Sequence, residues 1–356
     1  MSEPAAGPDP LRLRLAVVLL NLGGPDGQSA VRPFLRNLFS DPAIINLPAF
    51  LRLPLASLIS RTRETSAKAN YAKMGGGSPI LKETTAQAEA LQTSLARALP
   101  NYETKVFIAM RYWKPFTAKT AGDVAAFDAD EVLLLPLYPH FSTTTTGSSM
   151  QAWGEAYTGP GRVRTLCCYP LAPDLIDAHV ALIRGAFEEA GAPENTRLLF
   201  SAHGLPEKII AEGDPYQSQI EATAQAIVAR LGPGWDWRIS YQSRVGPMKW
   251  LGPSTIEAIV EAAEDGLGVI ITPIAFVSEH IETLVELDID YADIAQDQGC
   301  PNYIRVPALG ITPGYIQALT TAVIERLARP QAVCPQGAAC QHGFAKCPYK
   351  ALGGAT

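Results

Sequence analysis

The chain has 356 residues, of which 47% are hydrophobic and 18% charged, and its formal net charge is −6. That length suits one large α/β unit or two domains. The acidic balance and the lack of any Lys/Arg run exclude a polyanion-binding surface, so no nucleic-acid partner is expected. No apolar run reaches the ~18 residues that span a bilayer. Residues 1–12 lack the basic start and apolar stretch of a secretory signal and read as a disordered lead. Six cysteines in such a chain point to metal ligands or core positions in a reducing cytoplasm, not to a disulfide framework.

Residues 15–21 (LAVVLLN) form a continuous apolar run ending at Gly23-Gly24-Pro25, the pattern of a buried parallel strand meeting a turn. A helix follows at 31–39. Residues 47–59 (LPAFLRLPLASLI) are apolar with one Arg and two Pro, and read either as core or as an exposed lip on a membrane surface. A helix at 85–99 precedes strands at 105–110, 131–137 and 163–168, with helices at 118–127, 145–157 and 173–190. The rhythm then repeats. Strands are predicted at 197–201, 237–241, 269–273 and 303–306, and helices at 217–231, 255–265, 280–289 and 313–327. Strands alternating with helices predict an α/β fold with parallel sheets and right-handed crossovers. Four strand–helix pairs, twice over, predict two similar doubly wound, Rossmann-like halves at 13–192 and 193–329. A local echo supports the duplication: PLYPHFS (136–142) and PIAFVS (273–278) end the third strand of each half. A tail at 330–356 carries three cysteines.

In open α/β sheets, ligands bind at the C-terminal ends of strands. His203 stands at such an end, in SAHGLP (201–206). Phe276, Ser278, Glu279, His280 and Glu282 occupy the corresponding place after 269–273. Ser278 and the acidic residues suit a helix start, but a charged His280 there does not. Two carboxylates and a histidine facing another histidine make a candidate metal or proton-transfer site. Glu282, Glu286 and Asp290, spaced by four, form one helix ridge. It is either a solvated acidic face or a path for divalent cations. Tyr138, Ser142, Arg111 and Trp250 lie just past strand ends. Aromatics with a few Arg and Ser suit a large flat ligand carrying carboxylates, although each residue also suits packing.

LNLGGP (20–25), YAKMGGGSPI (71–80), SAHGLP (201–206), YQSRVGPMKWLGPST (241–255) and PIAFVSEHIETLVELDIDY (273–291) together resemble the ferrochelatase signature set, in order and across nearly the whole chain. The resemblance implies a chelatase-like fold with the cleft between the two halves. It also implies an enzyme of haem biosynthesis, a lyase inserting ferrous iron into protoporphyrin IX. Alternatives are iron insertion into coproporphyrin and a non-catalytic haem or iron–sulfur sensor on the same fold. By resemblance, His203 and Glu282 face each other across the porphyrin and handle the substrate iron, beside His280. Tyr138, Arg111, Phe276, Trp250 and Ser142 line the cleft, and Glu286 and Asp290 extend a metal path. Leu22 departs from the family pattern, since some relatives place Met or Tyr there near the metal. Many ferrochelatases carry a [2Fe–2S] cluster on C-terminal cysteines. Here the implied ligands are Cys334, Cys340 and Cys347, with a fourth from Cys167, Cys168, Cys300 or His342, because the family's internal cysteine position holds Thr143. The expected protein is a cytoplasmic monomer or homodimer, peripheral at the inner face of the membrane.

Overall fold

A computed structural model describes residues 12–244, 246, 248–329 and 344–348. Cys334, Cys340 and His342 lie outside the described residues, as does most of the lead. Eight strands form two parallel four-stranded sheets. The first contains β1 (Leu13–Asn21), β2 (Tyr102–Met110), β3 (Glu131–Pro136) and β4 (Arg162–Thr165), in the order β2-β1-β3-β4. The second contains β5 (Thr196–His203), β6 (Asp236–Gln242), β7 (Gly268–Pro273) and β8 (Tyr303–Arg305), in the order β6-β5-β7-β8. The two orders are the same, and the registers agree at the strand ends: Leu20 pairs with Pro136 and Ser201 with Pro273. β1 is apolar from Leu15 to Leu20 because it is central, and those residues are fully buried.

The duplication extends to an unusual element. After β3, Thr143–Gly147 forms a π-helix in which the Gly147 N–H donates to the Ser142 carbonyl at 3.0 Å. After β7, Glu286–Asp290 forms another, with the Asp290 N–H on the Val285 carbonyl at 2.9 Å. The single helices expected at 145–157 and 280–289 are therefore not continuous α-helix. The first is a π-turn feeding Ser148–Ala156. The second is a four-residue helix, Ile281–Leu284, then the π-turn, then Tyr291–Asp297. Such wide turns cluster at functional sites. The strand expected at 163–168 stops at Thr165, and a helix at Glu64–Ala72 was not foreseen.

The two halves exchange their last helices. Pro313–Ala328, at the end of the second half, buries Leu319 and Val323 with Leu15 and Leu133 of the first sheet and Leu91 of the helix Ile80–Ala98. Pro173–Glu189 buries Ile176, Val180 and Ile183 with Leu198 and Phe200 of the second. A boundary at 192/193 therefore separates the sheets but not the helices packed on them.

Candidate active site

The site is built at the ends of β5, β6 and β7. His203 ends β5, and its Nδ1–H donates to the Gly204 carbonyl at 2.6 Å, leaving Nε2 to face Glu282. His280 repeats this arrangement, with its Nδ1–H on the Ser278 carbonyl at 3.0 Å. Both Nε2 atoms turn toward one carboxylate. Glu282 Oε1 lies 3.7 Å from His203 and Oε2 lies 3.7 Å from His280. Burial pushes the Glu282 carboxyl up, but the two imidazoles outweigh it and hold its pKa below the usual range. Burial opposes charge on His280 as well, yet hydrogen bonding and attraction to Glu282 raise its pKa. The other two described histidines behave differently. Burial lowers His140 to about 3 and His179 to about 4, so both stay neutral in the core.

Glu286 sits next along the chain. Its Oε2 accepts from Gln242 Nε2 at 3.0 Å, Ser243 Oγ at 2.7 Å and the Tyr291 hydroxyl at 3.4 Å. Ser243 adopts a left-handed backbone, φ 62°, to present that hydroxyl, a conformation that costs energy outside glycine. Burial and the Glu282 charge raise Glu286 to about 7 despite these donors. Glu279, by contrast, is held below the usual range. Burial raises it, but Arg305 overcomes that.

The cleft beside Glu282 has a volume of about 220 Å³, smaller than a small-ligand site of about 300–1,000 Å³. Its far wall is apolar, with Leu22, Phe34, Leu35 and Ile80, and Arg63 and Tyr71 are set into it. Of these wall positions only Leu22 is singled out in the sequence, as the departure from the family pattern. The helices that bring them together are local, but their meeting with Glu282 is long-range. Two signature motifs do meet here, where the Ser78 N–H donates to the Pro25 carbonyl at 2.7 Å.

The remaining expected residues separate. The Phe276 ring packs on His280 at 4.7 Å. Trp250 forms a bridge with Pro206 and lies over Gly204, where a Cβ would come within 3.3 Å of the indole and 2.9 Å of the Gln242 carbonyl. Close approach thus requires glycine in SAHGLP. Arg111 is engaged by Asp41 at 2.9 Å and Ser148 at 2.7 Å, and Asp41 also accepts from Tyr112 at 2.7 Å. Tyr138 is half-buried past β3, and burial takes its hydroxyl far above the usual range. Ser142 corrects the expectation of a ligand contact. It is 1% exposed and its hydroxyl is spent on Asp214 at 3.1 Å. Asp290, the last residue of the acidic ridge, pairs with Lys73 at 3.0 Å. The placement of His203 and Glu282 on opposite faces of a ring also fails on geometry. A planar ring between two groups needs about 7 Å, and these are 3.7 Å apart. They stand side by side. Among the described residues, no three His, Cys, Asp or Glu side chains form a group able to hold a metal ion.

Residues 14–327 match the family profile described as Ferrochelatase. The Ferrochelatase of Caulobacter vibrioides (strain NA1000 / CB15N) is 59% identical, over 95% of this chain and 98% of its own length. That of Phenylobacterium zucineum (strain HLK1) is 57% identical, over 93% and 99%. Among solved structures, SirB from Bacillus subtilis with Fe3+ has a TM-score of 0.53 at 13% identity, covering 90% of this chain and 98% of that one, a likeness of fold. On its sequence over most of its length, with the paired Rossmann-like halves that the fold adds, the chain belongs to the ferrochelatase family.

Proposed function

We propose that this chain inserts ferrous iron into protoporphyrin IX, forming protohaem and releasing two protons. The observation that carries the reading is the Glu282 carboxylate set between two imidazoles whose Nδ1 atoms are both tied to backbone carbonyls. Free-base porphyrin carries two pyrrole N–H groups, so each iron that enters displaces two protons. His203 Nε2, partly exposed beside Glu282, accepts a pyrrole proton. Glu282, kept anionic, attracts the partly dehydrated cation. Glu286, with its pKa raised to about 7, suits the proton acceptor behind Glu282, because a group near the working pH both takes and releases protons. Glu279 remains ionised against Arg305 and carries no proton.

Purified protein would be mixed with ferrous iron and either protoporphyrin or coproporphyrin without oxygen, and the porphyrin spectrum followed. Protoporphyrin should be the faster substrate. His203→Ala and Glu282→Gln should each lower turnover by about 10²- to 10⁴-fold with porphyrin affinity retained. Wild-type-like turnover in either variant removes that residue from the mechanism, and faster coproporphyrin metallation reverses the substrate reading.

Two further features belong to this proposal. The helix Ala49–Thr62 exposes Phe50, Leu51, Leu53 and Leu58 beside the cleft wall, which supports a peripheral membrane contact for a poorly soluble substrate. Among the described residues no helix is long and apolar enough to cross a membrane. The second is a [2Fe–2S] cluster on Cys347, Cys334 and Cys340. Cys347 is buried, and its segment docks at Gly213, next to Asp214. Asp214 holds Ser142 and Thr143, beside Phe141, which packs with Cys167 and Cys168. That chain of contacts favours Cys167 or Cys168 as the fourth ligand over Cys300, whose thiol lies near the Ile259 carbonyl in another core cluster. Bound there, the cluster would cross-link the tail to the body, and no step of iron insertion would pass through it.

A further inference from the structure

The strip that carries His280, Glu282 and Glu286 has little order of its own. It is a four-residue helix followed by a π-turn, and so short a helix is not stable without tertiary support. What fixes its shape lies behind it, on the edge strand β8. Arg305 reaches both ends of the strip. Its Nη1 binds Glu279 Oε1 at 2.6 Å, just before His280. Its Nε and Nη2 bind both oxygens of Asp288 at 2.5 and 2.9 Å, inside the π-turn. Glu279 Oε1 accepts a second bond from the Ala308 N–H at 2.9 Å. From the same strand, the Tyr303 hydroxyl donates to the Leu287 carbonyl at 2.6 Å. The guanidinium is 16% exposed, so solvent screens these bonds weakly. Nothing in this network touches the cleft.

We infer that Arg305 is a positioning residue for iron insertion: one guanidinium clamps Glu279 and Asp288, and so sets where His280, Glu282 and Glu286 stand relative to His203. The planar fork is essential to this role, because a bidentate grip fixes orientation as well as distance. A lysine supplies the charge without the fork. The inference rests on the proposed iron-insertion reading of this site.

The test compares Arg305→Ala, Arg305→Lys and Asp288→Asn with wild type in iron insertion into protoporphyrin, recording kcat, KM for porphyrin and thermal midpoint. Asp288→Asn is included because it breaks the bidentate grip while keeping the buried Arg305–Glu279 pair, should Arg305→Ala fail to fold. A displacement of about 1 Å in a catalytic group costs on the order of 10²-fold. The expected result is a ten- to hundredfold fall in kcat for Asp288→Asn and Arg305→Lys, with KM for porphyrin within about threefold of wild type. Added guanidinium should restore part of the turnover of Arg305→Ala, or of Arg305→Lys where the alanine variant does not fold. Unchanged kcat in Asp288→Asn and Arg305→Lys, or a fall in kcat matched by lost porphyrin binding and lowered thermal midpoint, would overturn the inference. If wild type metallates no porphyrin, the iron-insertion reading fails and the inference with it. Active wild type with unaffected variants sinks the inference alone.

Discussion

At Glu286 two opposing effects can be weighed. Three donors favour the carboxylate, while burial and the neighbouring Glu282 charge favour the neutral acid. The second pair wins, so the folded-state pKa rises from 4.5 to about 7. The folded protein therefore holds this proton more tightly than the unfolded chain. The stabilisation is full below about pH 4.5 and is lost as pH rises through about 7. Glu282 has the opposite sign, because its pKa is lowered and its contribution fades as pH falls. Glu286→Gln should remove the first effect alone. Relative to wild type, the variant should gain up to roughly 3 kcal/mol between pH 5 and 7.5, read from thermal or denaturant midpoints at the two pH values. An equal difference at both would show that Glu286 does not titrate in this window. The residue itself was legible in the sequence as part of an acidic ridge. Its elevated pKa was not, because Gln242 and Ser243 reach it from more than forty positions away. Arg305 gave no signal at all, as a single arginine in a short edge strand.

Among the elements, the helix Ala49–Thr62 shows what a sequence leaves open. Its composition allowed either core or lip. The structure exposes Phe50 at 74% and Leu58 at 58%, while Leu55 is half-buried. Fully burying such a side chain contributes about 1.5–3 kcal/mol, so two of them partly immersed in lipid should account for a ten- to hundredfold change in binding. Phe50→Asp with Leu58→Asp should therefore abolish co-sedimentation with anionic liposomes while solution turnover on detergent-dispersed porphyrin is preserved. Unchanged sedimentation would mean that another surface makes the contact. Strands were read well because a buried parallel strand is a continuous apolar run, as in β1. The π-turns were missed for a physical reason. One extra residue per turn barely alters an apolar pattern, and what holds the second turn open is Arg305 on a distant strand.

Across the whole molecule, the exchange of Pro313–Ala328 and Pro173–Glu189 between halves could not be read locally, since each helix has an apolar face that suits either sheet. The tail is subject to the same kind of long-range control. In the segment 344–348, the Lys346 N–H donates to the Gly213 carbonyl at 3.1 Å. From that turn, the Tyr216 N–H donates to Asp214 at 3.0 Å and the Tyr216 hydroxyl donates to the His203 carbonyl at 3.1 Å. The segment 344–348 and His203 thus rest on one loop. A Cβ at Gly213 would stand 2.7 Å from the Ala345 nitrogen and 2.9 Å from its Cβ, so Gly213→Ala must push the segment away. Gly213 also has φ +95°, and a substitution there strains the backbone as well. Gly232 provides the control, with φ +91° and nothing within 4 Å of its Cβ position. Both alanine variants carry comparable backbone strain, and only the first evicts the tail. If Cys347 helps hold a [2Fe–2S] cluster, anaerobically prepared wild type and Gly232→Ala should be red-brown, with about two irons and two sulfides per chain. Gly213→Ala should be pale, and its Cys347 should react faster with a thiol reagent. Colour retained equally in both variants would separate the cluster from this docking site. A colourless, fully active wild type from iron-replete cells would dispose of the cluster itself.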